Sequence, residues 1–197
     1  MDRGASGETA RLFLSLPPPS RLLARLGPLL DELKADTWSL RPTEPDEFHL
    51  TLHFLGPTPV RLVDDLKREI GALCHARRAF DLEAGGLGCF PNDTHPRVVW
   101  AGVRDRTGRL LELFSVSRRV LQAYRLFELP KDFVPHLTLA RVEKLSAAWD
   151  PKLLRGVAPQ WADLGPYPVE EVRLMRSRPG PRDGPRYEVL ANLGLGG

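Results

Sequence analysis

Two stretches decide the fold: FHLTLHFLG at 48–56 and FVPHLTLAR at 133–141. Both contain His-Leu-Thr-Leu, at 49–52 and at 136–139, an offset of 87 residues. Laying the chain on itself at that offset puts Phe13 on Trp100, Leu16 on Val103, the helix starting near Ser20 on one starting near Thr107, and Phe80 on Tyr167. Two strand–helix–strand units are therefore read as copies. On a strand, successive side chains face opposite ways, so His49 and Thr51 share one face while Leu50 and Leu52 share the other. His136 and Thr138 repeat the pattern.

The intervening segments follow from hydrophobic period and from the 17 Gly and 19 Pro that punctuate them. Residues 11–16 read as a strand. Leucines at 22, 23, 26, 29, 30 and 33 mark a helix over 21–34 that Pro28 kinks or shortens. Strands are expected at 37–41 and 48–55, an amphipathic helix at 59–76, a strand at 80–85 and then a Gly/Pro-rich loop through 96. A buried strand at 98–103, a helix at 107–124, a strand at 134–142, a short helix at 151–155 and strands at 168–175 and 187–193 complete the chain.

The 197 residues, 42% apolar and 27% charged, describe one ordinary globular domain spanning 1–197, with halves at roughly 10–96 and 97–193. No apolar run reaches the roughly 18 residues that cross a bilayer, and the N-terminus has no hydrophobic signal core, so a cytoplasmic location is expected. Two cysteines, Cys74 and Cys89, form no Cys-x-x-Cys pair and read as ordinary thiols. The net charge of +3 permits an anionic partner without requiring one. Of the 28 Lys and Arg, five are Lys. The arginine excess suits phosphate recognition and equally follows from codon bias.

If the halves pack about a pseudo-twofold axis, two His-Thr pairs face one another across a cleft. Histidine titrates near neutrality, so one copy can act as base and the other as acid. Such a pair suits in-line displacement at phosphorus, with hydroxyls on the non-bridging oxygens and no metal or cofactor required. It calls for a moderately good leaving group, which a strained cyclic phosphodiester supplies.

The paired motifs resemble those of the 2H phosphoesterase superfamily, most closely its RNA 2′,3′-cyclic phosphodiesterases, once called 2′-5′ RNA ligases. RLFLSLPPP at 11–19, PRVVWAGV at 96–103 and the closing stretch with Ser177, Gly184 and Tyr187 extend the resemblance over nearly the whole chain. It implies an α+β, bilobal, duplicated fold of two mainly antiparallel sheets with helices outside and a central groove. It also implies metal-independent opening of a 2′,3′-cyclic phosphate on RNA to a 2′-phosphomonoester, by a protein expected to be a monomer. The resemblance makes His49 the proton donor and His136 the proton acceptor, with Thr51 and Thr138 on the phosphate; the sequence's own symmetry leaves the two histidines equivalent. Strict alternation sends Arg141 to the face opposite His136, yet the family uses an Arg here for phosphate, so a bend or strand end is expected. Two alternatives stay open: a non-catalytic RNA-binding module of the same fold, and a phosphoesterase for a small cyclic or 2′-5′-linked nucleotide.

Other residues have plainer readings. His53 shares the face of His49 by alternation, but about 13 Å away on a strand, so it reads as a groove-rim residue rather than a zinc partner. His75 reads as surface, and His95 as surface or a wall of the substrate path. Arg173, Arg176, Arg178, Arg182 and Arg186 read either as a solvated hairpin or as an RNA clamp. Phe48 and Trp38 could stack a base but more simply fill a core.

Overall fold

The structure is a computed structural model that describes residues 8–34, 38–125, 133–147, 149–178 and 186–196. Thr37, Arg182 and Gly184, which figured in the expectations above, lie outside them. Leucine spacing sets the core. In β1 (Thr9–Leu16) the residues Leu12, Leu14 and Leu16 face inward, and in β3 (Leu50–Pro59) Leu50, Leu52 and Leu55 meet them. Burying a leucine of this kind stabilises by roughly 1.5–3 kcal/mol relative to exposure, which is what holds such strands in register.

The remaining strands are β2 (Trp38–Pro42), β4 (Phe80–Phe90), β5 (Val98–Arg104), β6 (His136–Leu145), β7 (Gly165–Val169), β8 (Glu171–Ser177) and β9 (Tyr187–Gly194). They form one antiparallel system in the order β7-β4-β5-β6-β3-β1-β8-β9, with β2 paired to β6. The system divides into two leaves, because β3 and β6 pair at Leu50 and Leu137 alone. The two expected sheets are these leaves: β3-β1-β8-β9, and β6-β5-β4-β7 with β2.

Neither leaf is a contiguous stretch of chain. β4 follows β3 in sequence but pairs with β5 in the opposite leaf, and β8 follows β7 but returns to pair with β1. The helices exchange in the same sense. α1 (Ser20–Glu32) leaves β1 and packs on β6 and β7, while α3 (Arg109–Ala123) leaves β5 and packs on β3 and on α2 (Val63–His75), which itself covers β8 and β9. A short α4 (Lys152–Val157) precedes β7. Each copy is closed by elements of the other.

Several local expectations are corrected. α1 runs through Pro28 to Glu32, its buried Leu22, Leu26 and Leu29 outweighing one lost backbone bond. The stretch read as a single strand at 168–175 is two, broken at Glu170 where the chain passes between leaves. The strand expected to stop at 85 continues to Phe90. Its glycines do not end it: Gly86 takes φ +77° in a bulge between Ala84 and Leu87, and Gly88 leaves room for the Trp100 indole. α3 starts at Arg109, two residues later than expected, because the Asp105 carboxylate accepts the N–H groups of Thr107, Gly108 and Leu110 at 2.9, 3.0 and 2.8 Å.

A Cβ at position 88 would lie 2.2 Å from the Trp100 ring. Gly88→Ala is therefore expected to lower the unfolding free energy by about 1–3 kcal/mol through overpacking, read as a reduced midpoint in urea denaturation at unchanged slope.

Candidate active site

The two motifs copy one another beyond the tetrapeptide. In β3 the register against β1 slips between Leu14, opposite His53, and Ser15, opposite Thr51, leaving Leu52 as an extra residue. In β6 the register against β5 slips between Val99, opposite Ala140, and Trp100, opposite Thr138, leaving Leu139 as the extra residue. A bulge inserts one residue and reverses the alternation after it. Leu52 and His53 thus both turn into the core, as do Leu139 and Ala140. The next residue returns to the groove: Phe54 in one copy and Arg141 in the other, again 87 apart. The bend expected for Arg141 is this bulge.

His49 sits just before β3 and His136 is the first residue of β6. Each imidazole makes the same bond to the carbonyl two residues back: His49 Nδ1 to Glu47 O at 2.7 Å and His136 Nδ1 to Val134 O at 2.7 Å. A carbonyl only accepts, so each Nδ1 carries the hydrogen and each Nε2 is the nitrogen left to exchange protons. Aromatic rings wall both histidines. His49 lies 4.9 Å from Phe13 and 5.1 Å, edge-on, from Tyr187. His136 lies 5.0 Å, edge-on, from Phe90 and 6.1 Å from Trp100, the counterpart of Phe13 in the repeat. Burial pushes His49 below the ordinary histidine value; the bond to Glu47 O opposes this and the charge of His136 adds to it.

His49, Thr51, His136, Thr138 and Arg141 line one cavity of about 120 Å³ between the leaves. The sequence reading missed several of its walls. Arg41 lies directly across from Arg141 in the β2–β6 pair, and both reach the cavity. Two like charges side by side on neighbouring strands repel, a cost that Glu143, 3.8 Å from Arg41, offsets in part and that an anion between them lowers further. Arg186 also lines the cavity and pairs with Glu47 at 3.5 Å. It is the one described hairpin arginine to do so. Arg173, Arg176 and Arg178 are engaged by Glu171 at 2.7 Å, Glu8 at 3.9 Å and Glu188 at 2.5 Å, which suits the solvated-charge reading for those three. Phe54 is 68% exposed at the rim; only its distance of 87 from Arg141 marked it in the sequence. Trp38 and Phe48 are buried, Trp38 stacked on Trp149 at 4.4 Å, so neither meets a base. His75 is exposed at the end of α2, and His95 is exposed in the 91–97 loop, outside the cavity lining. Burial pushes both free thiols, Cys74 and Cys89, up to about 11.

Two strand-exchanged antiparallel leaves, each presenting a His-x-Thr pair to a shared groove, define a two-histidine phosphoesterase architecture. The family model described as the 2′-5′ RNA ligase superfamily matches residues 18–181, and the chain belongs to that family. An "RNA 2′,3′-cyclic phosphodiesterase" of Aeropyrum pernix is 31% identical over 86% of this chain and 97% of its own length. A protein of the same name from Thermus thermophilus is 35% identical over 80% of this chain and 76% of its own. The crystal structure of E. coli LigT complexed with 3′-AMP superposes with a TM-score of 0.75 at 26% identity, covering 95% of this chain and 99% of that one. Among the described residues no helix is long and apolar enough to cross a membrane.

His53 is the main correction. It does not rim the groove: the bulge at Leu52 turns it into the core, 3% exposed, where its ring stacks on Phe114 at 4.5 Å. Its Nε2–H donates to Phe114 O at 3.1 Å and to Ser117 Oγ at 2.9 Å, and the Ser117 hydroxyl donates onward to Leu113 O at 2.6 Å. Burial pushes the His53 pKa down to about 4 from 6.5. The unfolded chain binds this proton between pH 6.5 and 4 and the folded chain does not. The residue's contribution to stability is therefore complete above 6.5 and lost as pH falls through that window, by about 3 kcal/mol. His53→Gln is expected to flatten the slope of unfolding free energy between pH 7 and 4 relative to wild type, measured by urea denaturation at several pH values.

Proposed function

We propose that the chain hydrolyses RNA 2′,3′-cyclic phosphodiester ends to 2′-phosphomonoesters without a metal ion or other cofactor, as a monomer in the cytoplasm. The observation that carries this reading is the duplication of one device in one cavity: an imidazole whose Nδ1 is bound to the carbonyl two residues back, followed two residues on by a threonine hydroxyl. The names of the relatives from Aeropyrum pernix and Thermus thermophilus support the same substrate.

In the proposed step, the cyclic phosphate sits between the two Nε2 atoms. His136 takes a proton from water as the water oxygen bonds to phosphorus. On the opposite side the bond to the 3′-oxygen breaks, and His49 gives that oxygen its proton. Thr51 and Thr138 donate to the non-bridging oxygens, each worth about 2–4 kcal/mol in the transition state. Arg141, with Arg41 beside it, meets the charge that grows there. Burial lowers the His49 pKa, and an anionic phosphate next to the ring opposes that shift and favours the protonated donor.

His49→Ala and His136→Ala are each expected to reduce kcat by about 10²–10⁴ without unfolding the chain, assayed in EDTA on RNA ending in a 2′,3′-cyclic phosphate. Full activity in either variant sinks the mechanism. A substrate with sulfur in place of the 3′-bridging oxygen leaves without protonation, so it should rescue His49→Ala and not His136→Ala. Because kcat/KM reports the free enzyme, it should decline with rising pH from a midpoint below 6.5, and the sulfur substrate should lose that decline. Tight binding of the RNA end with no turnover would assign the chain to the non-catalytic binders instead.

A further inference from the structure

The groove does not end at the histidines. A second cavity of about 200 Å³ adjoins the first, sharing His49, Phe54 and Tyr187 with it and adding Arg11, Phe13 and Ser177. Strand pairing orders this face of the leaf into rows. Thr51, Ser15 and Arg173 are paired across β3, β1 and β8, then Phe54, Phe13 and Met175, then Pro57, Arg11 and Ser177, with Tyr187 beside Ser177 on β9. Successive rows are two residues apart on β1, about 6.8 Å. With Arg173 paired to Glu171 at 2.7 Å, the face therefore runs polar, apolar, then basic, starting from the threonine that holds the reacting phosphate.

That order is the order of groups at an RNA end: a phosphate, a nucleoside, and the next phosphodiester. In-line geometry says which way the nucleoside points. The 3′-oxygen that His49 protonates belongs to the ribose, so the ribose lies on the His49 side, and its base is carried toward Phe54. Arg11 then waits one row further on. It is exposed and, unlike Arg173, Arg176, Arg178 and Arg186 on the same leaf, has no carboxylate partner among the described residues.

We propose that Arg11, with the Ser177 hydroxyl opposite it, binds the phosphodiester on the 5′ side of the terminal nucleoside, so that the groove recognises the last two phosphates of an RNA strand rather than one. An arginine without an intramolecular partner keeps its whole fork of donors for the ligand, and one charge-assisted contact of this kind is worth about tenfold in affinity. The proposal rests on the reading of the reaction given above, in particular on His49 standing beside the leaving group.

The test compares a dinucleotide ending in a 2′,3′-cyclic phosphate with the nucleoside 2′,3′-cyclic phosphate alone, by kcat/KM. Wild type should favour the dinucleotide about tenfold. In Arg11→Ala the ratio should fall to about one. Replacing the internal phosphodiester by a neutral methylphosphonate should do the same in wild type and add nothing in the variant. A ratio of one in wild type, or a ratio that survives Arg11→Ala, overturns the proposal. The same ratio read by calorimetry as binding of the two 2′-phosphate products needs no turnover, so failure of the chemistry and failure of this subsite give different results.

Discussion

Among the described residues one strand-to-strand pairing, Leu50 with Leu137, joins the two leaves, and each of those residues directly follows one of the paired histidines. Both leucines are fully buried. Where the leaves meet therefore also fixes how far apart the two imidazoles stand. With one pair at the seam, the strands diverge at once on either side of it, and the space they open is the groove. A longer ladder between β3 and β6 would have fused the leaves into a continuous sheet and closed the cavity.

So narrow a seam needs support from elsewhere, and the exchange of elements supplies it. β4 and β8 each leave the copy that precedes them and complete the other, and α1 and α3 cross in the same way. Parting the two copies requires unpairing whole strands, not one residue pair. The two copies are thus interlocked, although little hydrogen bonding spans the groove between the leaves.

The repeat was legible because it is written in side chains that a strand sorts by parity, and because the tetrapeptide returns unchanged. The implied fold and the assembly of both His-Thr pairs rest on that. What followed the tetrapeptide was not legible, for a definite reason: a bulge is a feature of register between two strands and is not encoded in either one. Hydropathy even misleads here, since polar His53 is buried and apolar Phe54 is exposed. Arg141 defied alternation for the same cause. Gly86 to Gly88 read as a loop because glycine usually punctuates, whereas Gly86 sits in a bulge and Gly88 makes space for an indole whose size the local sequence cannot announce. Arg41 was invisible because its role comes from a strand 100 residues away, with which it pairs at Arg141.

The bonds from both Nδ1 atoms to main-chain carbonyls have a consequence for the full cycle. They lock each ring in one tautomer, so neither imidazole can pass a proton through itself from the groove to the protein behind it. After one proposed turnover His49 has lost a proton at Nε2 and His136 has gained one at the same atom, and the protein is a proton isomer of its starting form. Both corrections must come by way of the groove, through solvent or the departing product. Whatever fills that space between reactions governs how soon the next can begin.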